Sequence, residues 1–238
     1  MVNNLQTNIP IIEHAQANLN QVDFLRWLAE NHKDKIVLST SFGIEDQVVT
    51  DMILRSQIAI SIFTLDTGRL FAETYSTWSR TVEKYSATIT AYFPDHKLLE
   101  EFLTTKGPNS FYESVENRKS CCYIRKVEPL KRALQGKSVW ITGLRAEHSP
   151  ERKSLSNLEW DETNQVIKYH PLLNWTTEEV RNYINEHDVP YNILHDKGFV
   201  SIGCAPCTRA IKPGEDFRAG RWWWEDAAKK ECGLHVHQ

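Results

Sequence analysis

Apolar residues fall at helical spacing at Leu19, Val22, Leu25 and Leu28, which predicts a first helix ending near Asn31. The run Lys35-Ile-Val-Leu-Ser-Thr40 then reads as a buried strand, Ser41-Phe-Gly-Ile44 as a turn, and Glu45 to Leu54 as a helix. The pattern repeats with a strand over Ala59–Asp66, a turn at Thr67-Gly68, a helix over Phe71–Tyr85 and a strand over Ala87–Phe93. A fourth strand is predicted at Ser138–Gly143. Strands alternating with helices of this length predict an α/β fold, a mostly parallel twisted sheet with helices on both faces. Ligands of such sheets bind outside the carboxyl ends of the strands. The polar turns at Ser39–Asp46, Asp66–Arg69 and Gly143–Arg145 all fall at such ends.

Further along, Trp160–Gln165 separates two short strand-like segments and reads as a hairpin turn. Thr176-Thr-Glu-Glu179 carries a capping-box pattern, followed by Val180, Tyr183, Ile184 and His187 on one helical face. After Cys207 the chain turns polar and irregular. The expected organisation is an extension over 1–18, one α/β domain over 19–212, and a mobile C-terminal tail over 213–238.

Bulk properties narrow the class. The chain has 238 residues, a formal net charge of −3, and ordinary hydrophobic and charged fractions of 41% and 25%. That balance argues against a general attraction to nucleic acid or anionic membranes, so any grip on an anion is local. Met1–Gln21 lacks the apolar core of a signal peptide, and no apolar run is long enough to span a bilayer. A cytoplasmic protein is expected, where disulfides are a poor default.

The five cysteines then take on meaning. Cys121-Cys122 and Cys204-Ala-Pro-Cys207 form two close pairs, and Cys232 stands alone in the tail. Four thiolates are enough for one metal centre. Structural zinc sites pair cysteines two to four residues apart, which Cys204 and Cys207 satisfy and the adjacent pair does not. An iron–sulfur cubane offers separate corners and accepts adjacent ligands more readily, and four thiolates per [4Fe–4S] cluster is the expected count. Both metals stay open on spacing. Around the first pair lie Arg118, Lys119, Arg125 and Lys126. On a continuous helix Cys122 and Lys126 share a face, so this lysine can offset charge at the centre and reach an anionic ligand. Cys232 lies beside Lys229, Lys230 and Glu231, with His235 three residues on. With no cysteine nearby to resolve it, a modified Cys232 needs an external thiol, which predicts a ping-pong cycle with a small redox protein.

Candidate anion-binding elements complete the inventory. Ser39-Thr-Ser-Phe-Gly-Ile-Glu-Asp46 joins a strand to a helix, and the Ser39 and Ser41 hydroxyls and the Gly43 backbone can hold phosphate-like groups at the helix start. It has no Gly-Lys-Ser/Thr ending and is not a Walker A loop. Arg145, Arg152, Arg218 and Arg221 are candidates for forked grips on phosphate or sulfate oxygens. Trp222–Trp224 fits packing onto the domain better than stacking on a base.

These motifs together closely resemble the assimilatory adenylyl-sulfate (APS) reductases, within the phosphoadenylyl-sulfate (PAPS) reductase family. The resemblance covers about residues 20–238. It rests on the Ser-Phe-Gly-Ile-Glu-Asp loop, Leu65-Asp-Thr-Gly-Arg-Leu70, Cys121-Cys-Tyr-Ile-Arg-Lys126 and Ile141-Thr-Gly-Leu-Arg145. It continues through Tyr191–Gly198, Ser201–Arg209, Gly220–Glu225 and Glu231-Cys-Gly-Leu-His235. It implies an adenine-nucleotide alpha hydrolase-like fold and one [4Fe–4S] cluster held by Cys121, Cys122, Cys204 and Cys207. Substrate binding falls to Leu65, Thr67, Gly68, Lys126 and Gly143 with the serine loop and the four arginines. It implies attack of Cys232 on the sulfonate sulfur of APS, release of AMP, and an S-sulfocysteine that thioredoxin or glutaredoxin clears as sulfite. The physiological setting would be sulfate assimilation for cysteine biosynthesis, and relatives form dimers or tetramers. The alternatives are the same chemistry on PAPS, or a non-catalytic nucleotide-binding zinc protein.

Overall fold

The computed structural model of the chain describes residues 5–148 and 155–225. Six strands form one sheet: β1 (Ile36–Thr40), β2 (Ser61–Leu65), β3 (Ile89–Tyr92), β4 (Val139–Ile141), β5 (Leu158–Asp161) and β6 (Val166–Tyr169). Their spatial order is β3-β2-β1-β4-β6-β5. All neighbours pair in parallel except the β5–β6 hairpin at the edge. Strand order runs outward in both directions from β1, so the switch point lies between β1 and β4, where such sheets bind ligands.

Side-chain alternation explains why both faces are covered. Ile36 and Leu38 of β1, Ile62 of β2, Val139 and Ile141 of β4, and Ile167 and Tyr169 of β6 enter the larger core. That core also takes in the helices α1 (Ile9–Asn18), α2 (Gln21–Asn31), α3 (Ile44–Arg55) and α8 (Thr177–Glu186) through Ile12, Leu28, Val48 and Ile184. Val37, Phe63, Trp140 and Val166, at the intervening positions, meet Leu130, Ala133 and Leu134 of α7 (Glu128–Leu134) on the other face. Helices α4 (Ala72–Tyr85), α5 (His96–Lys106) and α6 (Val115–Cys122) complete the set.

The predicted strands and helices appear with ends displaced by a residue or two. The capping box of α8 is complete, with Thr176 accepting from the Glu179 backbone and Glu179 accepting from the Thr176 backbone. Two features depart from the periodicity reading. The segment before residue 19 contains α1, whose Ile12 is buried against the core. The continuous helix on which Cys122 and Lys126 would share a face is interrupted by a π turn at Tyr123–Val127, immediately after Cys121 and Cys122. No helix among the described residues is long and apolar enough to cross a membrane.

Candidate functional site

The carboxyl ends of β1, β2 and β4 open into a cavity of about 220 Å³. The β1 side supplies Ser39, Ser41, Gly43 and Asp46, the β2 side Leu65 and Thr67, and the β4 side Thr142, Gly143 and Leu144. Segment 200–203 and His195 close the far wall, and Lys126 enters from the π turn.

The β1 turn is held in an unusual backbone state. Phe42 has φ +58°, the left-handed region that bulky residues avoid. Its ring is fully buried and stacks on Trp78 at 5.4 Å, and its amide donates to Thr40 Oγ1, so packing offsets the local strain. Asp46 then clamps the turn: Ser41 donates to Asp46 Oδ2 from its backbone N at 2.6 Å and from Oγ at 2.7 Å. The Gly143 backbone also hydrogen-bonds Asp46, which ties the β4 exit to the β1 exit across the switch point. Burial pushes the Asp46 carboxyl up to about 6, against the lowering effect of the Ser41 and Gly143 bonds. Gly143 is required by this crossing. A Cβ there would lie 3.0 Å from the Asp46 backbone nitrogen and 3.1 Å from Glu45 Cβ, and would overlap the Asp46 carboxylate.

A second, smaller cavity adjoins the first. It is lined by all four paired cysteines, Cys121, Cys122, Cys204 and Cys207, together with Arg69, Arg118, Arg125 and Lys126. None of these four thiols is in a disulfide. The sequence separates the pairs by more than eighty positions (122 to 204), and the fold closes that gap. Cys204 donates to Thr67 Oγ1 at 3.3 Å, at the carboxyl end of β2. The Ala205 amide donates to the Arg69 carbonyl at 2.8 Å, fastening the same junction. Arg125, buried in the π turn, donates to the Thr67 carbonyl and hydrogen-bonds Cys121. Burial pushes the Cys207 thiol up to about 12, with Cys204 adding to the rise and Lys126 and Arg221 opposing it. Burial raises Cys121 as well, against the Arg125 cation.

The donor set is soft and fourfold, and cations surround it, which fits a group that needs thiolates. No three of the His, Cys, Asp and Glu side chains form a single-ion site among the described residues.

Ser39, Ser41, Gly43, Leu65, Thr67, Lys126 and Gly143 come together around the larger cavity. Gly68 does not line it. Its φ of +69° instead turns the chain past Arg125. Arg145 is also elsewhere: only 1% exposed, it donates to Glu45 at 3.0 Å, to the Trp175 carbonyl at 3.1 Å and to Thr177 Oγ1 at 3.1 Å, and it pairs with Glu147. Those bonds commit its guanidinium to holding the β1 and β4 exits onto α8. Arg221 lies behind the far wall, its guanidinium against Gly203 and over the buried Trp222 ring at 4.8 Å. Arg218 flanks the same ring at 5.9 Å, next to the cavity residue Phe217. Arg152, Cys232 and His235 lie outside the described residues.

Asp46, Thr142 and His195 line the larger cavity without having been singled out by the sequence. Asp46 was legible only as part of a loop. His195 reaches the cavity from 151 positions away, a contact no local pattern encodes.

Comparison with known proteins places these features. The phosphoadenosine phosphosulfate reductase domain matches residues 35–210. The chain is 52% identical to the adenosine 5′-phosphosulfate reductase of Allochromatium vinosum, over 85% of this chain and 79% of that protein. It is 48% identical to the protein of that name from Burkholderia cepacia, over 92% and 88%. Among solved structures, the phosphoadenylyl-sulfate (PAPS) reductase of Candida auris in its phosphate complex superposes with a TM-score of 0.70 at 31% identity, covering 84% of this chain and 96% of that one. FMN adenylyltransferase of Candida glabrata shares the fold alone, with a TM-score of 0.54 at 14% identity over 89% and 76%. A match over residues 35–210, backed by relatives near 50% identity, makes this chain a member of the phosphoadenosine phosphosulfate reductase domain family.

Proposed function

We propose that the protein reduces adenylyl sulfate to sulfite and AMP, using Cys232 as nucleophile and a small dithiol protein, thioredoxin or glutaredoxin, as reductant. The observation that carries this reading is Lys126, which lines both the nucleotide-type cavity and the four-cysteine cavity. A cation at that junction would suit the phosphosulfate of a nucleotide whose adenosine sat at the strand ends. The relatives named adenosine 5′-phosphosulfate reductase favour the nucleotide without a 3′-phosphate.

In the first step the Cys232 thiolate forms a bond to the sulfonate sulfur. The bond from that sulfur to the bridging phosphate oxygen breaks, and AMP leaves with the electron pair. Lys126 lowers the cost of charge gathered on the leaving phosphate. The enzyme then carries S-sulfocysteine. A thiolate of the external dithiol attacks Cys232 Sγ, sulfite departs, and the partner's second thiol resolves the mixed disulfide. The dithiol supplies both electrons.

Cys121, Cys122, Cys204 and Cys207 would hold one [4Fe–4S] cluster. Once bound, it would supply structural closure rather than the reducing electrons, and Lys126 and the neighbouring arginines would offset its net negative charge. Its presence is checked by iron and acid-labile sulfide content and a broad visible absorbance. Cys207→Ser is expected to lose that absorbance, and full retention would remove Cys207 from the ligand set.

Anaerobic incubation with APS and no dithiol, followed by intact-mass analysis, tests the central step. The expected product is an adduct of about 80 Da, the mass of SO₃, confined to the peptide bearing Cys232, as a stalled ping-pong intermediate requires. No adduct with APS unconsumed would refute the reading. A faster adduct from PAPS would move the substrate to the 3′-phosphorylated nucleotide.

A further inference from the structure

Among the described residues, His195 is the one histidine on the wall of the larger cavity, and its hydrogen bonding gives it a defined role. The Ile44 backbone N–H donates to His195 Nε2 at 3.2 Å. Ile44 opens α3, and the preceding Gly43 offers no side-chain cap. The imidazole therefore satisfies one of the orphan donors of that helix start from a distant part of the chain. The Phe199 backbone engages the ring as well. Val200, Ser201, Ile202 and Gly203 follow along the cavity wall and lead directly into Cys204. One ring thus fastens the serine-loop edge of the cavity to the segment that carries a paired cysteine. The Asn192 side chain supports the arrangement, accepting from Leu194 N at 3.1 Å and donating to Thr74 Oγ1 at 3.1 Å, on the same cavity.

We infer that neutral His195 is a positioning residue for nucleotide binding, and that protonating it releases the α3 start from the 199–203 wall. This rests on the proposed adenylyl-sulfate reading. An Nε2 that accepts from an amide must be unprotonated, so the strut exists only in the neutral ring. Burial holds its pKa below the ordinary 6.5. The charged groups that bear on it are Glu45 of α3, Arg181 of α8 and Asp196 on its own turn; Glu45 and Asp196 favour the cation and Arg181 opposes it. Asp46, on the same cavity, titrates in a neighbouring range and is a competing source of pH dependence.

The test is the KM for APS between pH 5 and 8 in the wild type, His195→Gln and His195→Leu. Glutamine places a carbonyl oxygen near the Nε2 position and accepts without titrating. The expected pattern is a wild-type KM that rises on the acid side, a His195→Gln KM within about threefold of wild type at pH 8 with the acid rise removed, and a His195→Leu KM raised about tenfold throughout, the scale of one lost hydrogen bond. A purely structural role would raise the KM of both variants without altering the pH profile, and that result would overturn the inference. An acid rise that persists unchanged in His195→Gln would assign it to Asp46 and overturn the inference. So would an unaltered KM in His195→Leu. A wild type that does not turn over APS at any pH would overturn the proposed function and this inference with it, a result distinct from either variant outcome.

Discussion

Cys232→Ser abolishes sulfite release, with a loss of about 10⁴-fold or more, the scale seen when a covalent nucleophile is removed. The four paired cysteines cannot substitute. Cys121, Cys204 and Cys207 are at most 9% exposed, and as ligands of the proposed cluster all four sulfurs would be committed to iron, so they offer no free nucleophile to a substrate in the neighbouring cavity. The variant should keep the iron and sulfide content and the visible absorbance of the wild type. It should also bind AMP with unchanged affinity, because no described cavity residue is altered. The assay is sulfite formation with excess APS and dithiol, read beside the absorbance spectrum. Full activity in Cys232→Ser would move the nucleophile elsewhere and dismantle the two-step scheme. Loss of activity together with loss of absorbance would instead assign Cys232 a structural role.

Periodicity made the sheet legible because alternation along β1, β4 and β6 is strict, with each odd or even set entering a different core. The same logic located the ligand end of the sheet, since the polar turns after β1, β2 and β4 do line one cavity. Arg145 shows the limit of reading charge from sequence. A guanidinium after a strand looks like an anion grip until its partners are known, and here Glu45, Glu147, Trp175 and Thr177 use its donors. The π turn has a signal in the sequence that helical periodicity passes over. Pro129 has no N–H to give the Arg125 carbonyl, and its ring crowds that carbonyl, so the α-helical ladder is broken at this turn. Tertiary contacts then use the wider turn, with Arg125 drawn inward to the Thr67 carbonyl and Cys121. The expected shared face of Cys122 and Lys126 assumed an unbroken helix. Both still line the four-cysteine cavity, through a turn whose i to i+5 bonds reset the face. His195 and Asp46 were missed because their importance lies in whom they touch across the fold.

Arg118→Met lowers stability by about 3–5 kcal/mol, the cost of leaving a buried carboxylate without its partner. Arg118 and Glu225 are 1% and 4% exposed and meet side-on, with Nε to Oε1 at 2.9 Å and Nη2 to Oε2 at 2.7 Å. The Arg118 guanidinium also lies 4.7 Å from the centre of the buried Trp222 ring. Removing the cation strands Glu225 in a site closed by aromatic side chains, where water cannot compensate it. Arg118→Met combined with Glu225→Met should recover most of the loss, since neither charge is then left alone. Anaerobic urea unfolding of the wild type, Arg118→Met, Glu225→Met and the double variant, followed by tryptophan fluorescence, reads this cycle. A midpoint for Arg118→Met within error of wild type would show that the pair contributes nothing to the fold. The consequence reaches catalysis through connectivity. Arg118 sits on α6 one turn before Cys121, and Glu225 precedes Cys232 by seven positions (225 to 232). The ion pair therefore joins the root of the segment bearing the proposed nucleophile to the helix that carries Cys121 and Cys122. Seven residues span at most about 25 Å when extended. Anchored at Glu225, Cys232 is confined to that radius around Glu225, which Arg118 holds against the helix bearing Cys121 and Cys122. Freed from Arg118, the same segment searches a larger volume, so sulfite formation should fall in Arg118→Met even under conditions where the protein remains folded.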